Sequence, residues 1–98
     1  MLYVLYSSVG NSEGIDEYLA YSEIDEGGYW TRHLEIGADG VALRYTTELA
    51  ADFHGQLPEG RWDDVEASDK KYGTVAPITK ALFNTVWRVT QCANADCN

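Results

Sequence analysis

The sequence predicts an α+β domain in which an antiparallel meander of four to five strands is packed by one C-terminal helix. Turn signals recur at short intervals from Gly10 to Gly60, and the segments between them have the length of strands. Those segments are rich in aromatic and β-branched residues, which fit a pleated, half-buried surface. One segment after Thr79 instead repeats its apolar residues at helical spacing.

Leu2 to Val9 reads as the first strand, dominated by Tyr, Val and Leu and ended by Gly10-Asn11-Ser12. Glu17 to Asp25, Tyr29 to Ile36 and Val41 to Thr47 follow as strands joined by two short turns, Glu26-Gly27-Gly28 and Gly37-Ala38-Asp39-Gly40. Alternation puts Trp30, Arg32, Leu34 and Ile36 on one face, joined across the hairpin by Val41, Leu43 and Tyr45; Tyr29, Thr31, His33 and Glu35 take the other. The first face needs a cover. Leu82, Phe83, Val86 and Trp87 form a helical stripe that supplies it, with Thr79 as N-cap and Pro77 just outside. On this reading an aspartate at Leu82 unfolds the domain. Residues 50–73 read as a long loop in which Trp62 to Glu66 forms one helical turn.

With 98 residues and 45% hydrophobic content, the chain suits one core. Residues 1–91 read as a single α+β domain and 92–98 as a disordered tail. Cys92 and Cys97 lie within that tail and read as reduced, since a disulfide there closes only a very short loop. The start, MLYVLYSSVG, has neither a basic leader nor a cleavable apolar run, and no window has the roughly 20 apolar residues of a membrane span. The expectation is a cytoplasmic chain.

Charge narrows the function. Sixteen acids against seven bases give −9, and residues 1–31 hold six acids and no base. Such a field repels phosphate backbones and steers basic partners, so neither nucleic acid nor membrane is expected as a ligand. No phosphate-binding glycine loop occurs, and His33 and His54 belong to no local catalytic or metal motif. His33 beside Glu35 reads as a surface imidazole on a mixed sheet face. The carboxylate pairs Asp16-Glu17, Asp25-Glu26 and Asp63-Asp64 lack both the calcium-loop pattern and a facing arrangement, because adjacent strand residues point to opposite faces. Catalytic residues, metal ligands and cofactors are therefore not expected.

What is left is a surface. Tyr21 and Glu23 with Asp25 give an aromatic residue flanked by acids, and Trp62 lies among Asp63, Asp64 and Glu66. Together with Glu17 and Glu26 they form the candidate partner-binding set, aromatic anchors rimmed by acid.

The run Tyr21 to Asp25 (YSEID), with Arg32, Leu34-Glu35-Ile36, Asp39-Gly40, and Phe83 and Trp87 in the terminal helix, resembles a small bacterial domain family. The resemblance covers residues 17–45 well and 74–88 loosely. Domains of this kind look like immunity proteins of contact-dependent or polymorphic toxin systems. The resemblance implies an antitoxin that neutralises a cognate basic toxin, a nuclease acting on RNA or DNA. A phage-encoded nucleic-acid mimic directed at a host defence nuclease shares the same charge logic. A small enzyme or ligand-binding domain using the Tyr/His/Glu sheet face is the alternative of another class.

Overall fold

A computed structural model describes residues 1–9, 17–52, 55–63 and 73–92. Five strands form one antiparallel sheet in the order β4-β3-β2-β1-β5: β1 (Leu2–Val9), β2 (Glu17–Ile24), β3 (Trp30–Gly37), β4 (Ala42–Thr46) and β5 (Gly73–Pro77). One helix, α1 (Lys80–Val89), follows. The α+β class and the meander of β1 to β4 are as expected. Five strands fall within the expected four to five, but the expected segments do not include the fifth: β5 returns to pair with the outer edge of β1, from Val4↔Pro77 to Ser8↔Gly73. Its five residues, GTVAP, begin at the last residue of the segment read as loop and are too few to declare a period.

Both hairpins use the same three-residue loop. Gly28 and Gly40 close β-turns by donating to the carbonyls of Asp25 (3.0 Å) and Gly37 (2.9 Å), and both have positive φ, +90° and +81°. That left-handed position is open to glycine at little cost, which explains its placement at the last loop residue. These loops set the register. In the second, Gly37 faces Val41, so Ala42, Arg44 and Thr46 share a face with Ile36, Leu34 and Arg32. The expected grouping of Val41, Leu43 and Tyr45 with that face is wrong by one residue, and a one-residue slip exchanges the faces.

Trp30 also changes sides. Glu23 pairs with Arg32 while Ile24 pairs with Trp30, so Thr31 is an extra residue and a β-bulge turns the start of β3 over. Trp30 therefore lies on the Ile24, Ser22 and His33 face.

The helix packs on the face of Tyr3, Glu23, Arg32, Leu34 and Arg44. Thr79 caps it as expected, its hydroxyl accepting from the Leu82 amide at 3.0 Å. Phe83 is 1% exposed and lies 5.2 Å from the Tyr3 ring and 5.8 Å from Trp87. Leu82 is 46% exposed, so it is outside the core and its expected role in holding the fold is corrected. Two arginines complete this layer. Arg32 bonds both oxygens of Glu23 (3.0 and 2.6 Å) and Asn84 (2.9 Å), with its guanidinium over Phe83. Arg44 stacks on Trp87 at 4.1 Å and donates to the carbonyls of Trp87 and Thr90, placing positive charge at the helix C-terminus.

The opposite face carries much of the buried apolar surface, including Val4, Ala20, Ile24 and Tyr45. A strap of residues after β4 covers part of it. Leu57 bonds Ala50, Ala51 bridges Gln56, and this small hairpin brings Asp52 to the Tyr45 hydroxyl at 3.0 Å. Burial, and then the bond to Asp52, pushes the Tyr45 hydroxyl up to about 12.

Cys92 is disulfide-bonded, which corrects the reduced reading. Cys97, the only other cysteine in the sequence, lies outside the described residues. Because Cys92 follows the helix and is not among the buried core residues, dithiothreitol is expected to move the thermal midpoint by less than about 3 °C. A drop of 10 °C in a melting scan would instead tie the tail to the core.

Candidate functional site

The candidate partner-binding residues separate into three groups. Glu17 is exposed at the start of β2, opposite Val9. It is seven residues from Ile24, roughly 23 Å at the usual rise of a strand, and so lies at the far end of the sheet from the β2–β3 turn. Tyr21 and Glu23 lie on the helix-covered face. Tyr21 is half-buried, aligned with Leu5 and Leu34, and Glu23 is 7% exposed and clamped by Arg32. Neither presents charge to a partner.

Arg32 holds the Glu23 carboxyl well down, to about 2, through its two hydrogen bonds; the Thr31 hydroxyl, 2.7 Å away, and Tyr3 act the same way against burial. The Tyr3 hydroxyl is raised, by burial first and then by Glu23. YSEID therefore reads differently in three dimensions: Glu23 holds the fold, and Asp25 shapes a turn. The Asp25 carboxylate accepts from the amides of Gly27 (2.9 Å) and Tyr29 (3.0 Å). Side-chain acceptance by a turn aspartate is a local backbone device.

The third group comes together. The amide of Trp62 donates to Gly28 at 2.7 Å, and the Arg61 Nε donates to Gly27 at 2.9 Å, so the strap is fastened to the β2–β3 turn. Glu26, at the tip of that turn, and Asp63, next to Trp62, are both exposed there. Trp62 is half-buried, edge-on to Trp30 at 5.8 Å. Neither Trp62 nor Asp63 is helical, and Asp64 and Glu66 lie outside the described residues. The two acidic stretches of the sequence thus meet at one tip, through Glu26 and Asp63, while Glu17 and Glu23 do not join it.

Charge is distributed unevenly between inside and outside. Arg32 and Arg44 are taken up in the helix–sheet seam. Among the described residues, Glu17, Glu26, Asp39, Glu48, Glu59 and Asp63 are exposed acids against the exposed bases Arg61, Lys80 and Arg88. Exposed acids thus outnumber exposed bases six to three among the described residues.

A second feature lies beneath Trp62. Val4, Tyr6, Tyr18, Ser22, Trp30, His33, Glu35 and Pro58 line a cleft of about 260 Å³ on the sheet face away from the helix. His33 is 5% exposed, which corrects its reading as a surface imidazole. Its Nδ1 lies 2.9 Å from Ser22 Oγ and its Nε2 lies 3.0 Å from Glu35 Oε1. With a neutral imidazole, Nε2–H donates to the Glu35 carboxylate and the Ser22 hydroxyl donates to Nδ1. The pairing of His33 with Glu35 follows from their shared face. Ser22 entered only through the register Ser22↔His33, which the three-residue loop alone does not give, because it also needs the bulge at Thr31. The serine is central in a fully paired strand, so its neighbouring backbone amides serve the ladder and leave no pair to hold an oxyanion. Among the described residues, no three His, Cys, Asp or Glu side chains converge in a way that would hold a metal ion. No described helix is long and apolar enough to cross a membrane.

No protein family, curated protein or solved structure matches the chain.

Proposed function

We propose that this protein is an immunity protein that binds and neutralises a cognate basic toxin, a nuclease of a contact-dependent or polymorphic toxin system, in the cytoplasm of the cell that makes both. The supporting observation is the tip where Glu26 and Asp63 are brought together by the bonds from Trp62 to Gly28 and from Arg61 to Gly27. Carboxylates grouped this way meet the basic groove in which a nuclease expects phosphates, and the chain's −9 charge steers the encounter. The engagement of the half-buried Arg32 and Arg44 in the helix–sheet seam adds to this, since both cations are held by groups of the fold. In the cytoplasm the Cys92 disulfide would be reduced, and its place beyond the helix makes the binding surface indifferent to that.

The test is co-expression with the toxin domain encoded beside the gene, followed by association kinetics with the purified pair. The chain is expected to restore growth, with an association rate that falls about tenfold between low and high salt. Glu26→Lys with Asp63→Lys should slow association by roughly a further tenfold, while Glu17→Lys at the far end should leave it within about twofold. Growth that stays arrested, or a rate indifferent to both salt and the double reversal, sinks the reading.

A further inference from the structure

The cleft under Trp62 has a composition that selects one kind of occupant. Its walls are aromatic: Tyr6 and Tyr18 form one tilted pair with centroids 5.8 Å apart, and Trp30 and Trp62 form an edge-on pair at the same spacing. At its floor lies the chain Ser22–His33–Glu35, of which Ser22 and His33 are 4% and 5% exposed. The Glu35 side chain is 41% exposed, so it reaches from the buried relay toward solvent. Its Oε1 takes the His33 bond, which fixes the carboxylate's direction, and its second oxygen has no hydrogen bond to any described residue.

Ring faces carry negative potential, and a carboxylate among them adds to it. An anionic occupant meets repulsion from Glu35 and from a chain of −9. A purely apolar one would strip water from Glu35 without replacing its hydrogen bonds. A cation satisfies both the rings and the carboxylate. The volume of about 260 Å³ is below the range of roughly 300–1,000 Å³ typical of sites for drug-sized ligands, which suits a single side chain.

We propose that this cleft receives an arginine side chain of the partner, its guanidinium set between the aromatic walls and hydrogen-bonded to Glu35. The inference rests on the immunity reading for the source of that arginine. It is continuous with the proposed acidic tip: Trp62, which forms one wall, is the residue whose amide holds the strap to Gly28. A basic surface seated on Glu26 and Asp63 therefore has the cleft mouth beside it. The relay gives Glu35 its function as a positioned acceptor, with His33 and Ser22 as positioning residues behind it.

The probe is N-acetyl-arginine methylamide, titrated into the intact chain and followed by the indole N–H resonances of its three tryptophans. Trp30 and Trp62 should shift in a saturable way at millimolar concentration, and Trp87, on the helix side, should not. The neutral citrulline analogue should bind at least about fivefold more weakly, as should arginine to Glu35→Gln. Trp62→Leu, which removes one wall, should weaken it by a similar factor and guards against a Glu35 variant that folds poorly. Equal shifts from arginine and citrulline, equal shifts at Trp87, or unchanged affinity in both variants overturn the cleft assignment. The two proposals fail separately. Tight toxin binding that Glu35→Gln leaves untouched removes the cleft and keeps the immunity reading, while arginine binding by a chain that ignores the toxin does the reverse.

Discussion

Replacing Arg32 by alanine is expected to destabilise the domain by about 3–5 kcal/mol, the cost of leaving a buried carboxylate without its partner. The reason is the number of contacts that end on one guanidinium. It neutralises Glu23, bonds Asn84 of the helix, and lies over the rings of Phe83 (4.7 Å) and Trp87 (5.1 Å). At about 4–8 °C per kcal/mol, the thermal midpoint should fall by roughly 12–40 °C. Acid gives the matching signature. The Glu23 carboxyl titrates near 2 in the fold against an ordinary value of 4.5, so the unfolded chain takes up its proton first as pH falls. Stability of about 3 kcal/mol is therefore full above pH 4.5 and lost progressively down to about pH 2. Arg32→Ala should flatten that window, because Glu23 then titrates nearer its unfolded value. Melting curves between pH 2 and 7 decide it: a variant within a few degrees of the parent, with the same acid slope, would remove the ion pair from the stability of this fold.

Phe83→Ala should cost a similar amount, about 3–5 kcal/mol, the usual range for emptying a buried aromatic site. Phe83 is the residue through which the helix closes over Tyr3 and Arg32, and it is 1% exposed. Its neighbour offers the contrast. Leu82→Asp should change stability by less than about 1 kcal/mol, since the side chain is largely in water and a carboxylate in the first helical turn complements the helix dipole. Circular dichroism melts of the two variants side by side test the packing directly. A Leu82→Asp protein that unfolds while Phe83→Ala melts normally would mean that the helix is rotated about its axis from the position described.

The strands β1 to β4 and the helix were legible because each declares itself locally, by a glycine turn, an aromatic strand or a threonine cap. What the sequence concealed was which face each residue occupies. Sidedness depends on loop length and on bulges, and Thr31 alone moves Trp30 from the helix layer to the cleft layer. The same blindness affected the site. Glu23 and Asp25 look like surface acids in a linear reading, yet one is clamped by an arginine nine residues away and the other by its own turn. The approach of Asp63 to the turn of Glu26 was not legible, because it depends on one backbone and one side-chain hydrogen bond between residues 34 positions apart. Nor was β5, whose pairing with β1 joins the first strand to the last.

That last pairing bears on how the protein is made. β1 leaves the ribosome before the other strands, yet it lies inside the sheet, between β2 and β5. Until Gly73 to Pro77 has been synthesised, the outer edge of β1 has no partner, and until Phe83 follows, Tyr3 has no cover. A nascent or truncated chain ending before residue 73 would thus carry an open strand edge and bare aromatic rings, the features that draw chaperones and promote self-association. The fold is completed only after β5 and the helix have been made, so termination before them yields aggregating fragments rather than partly active protein.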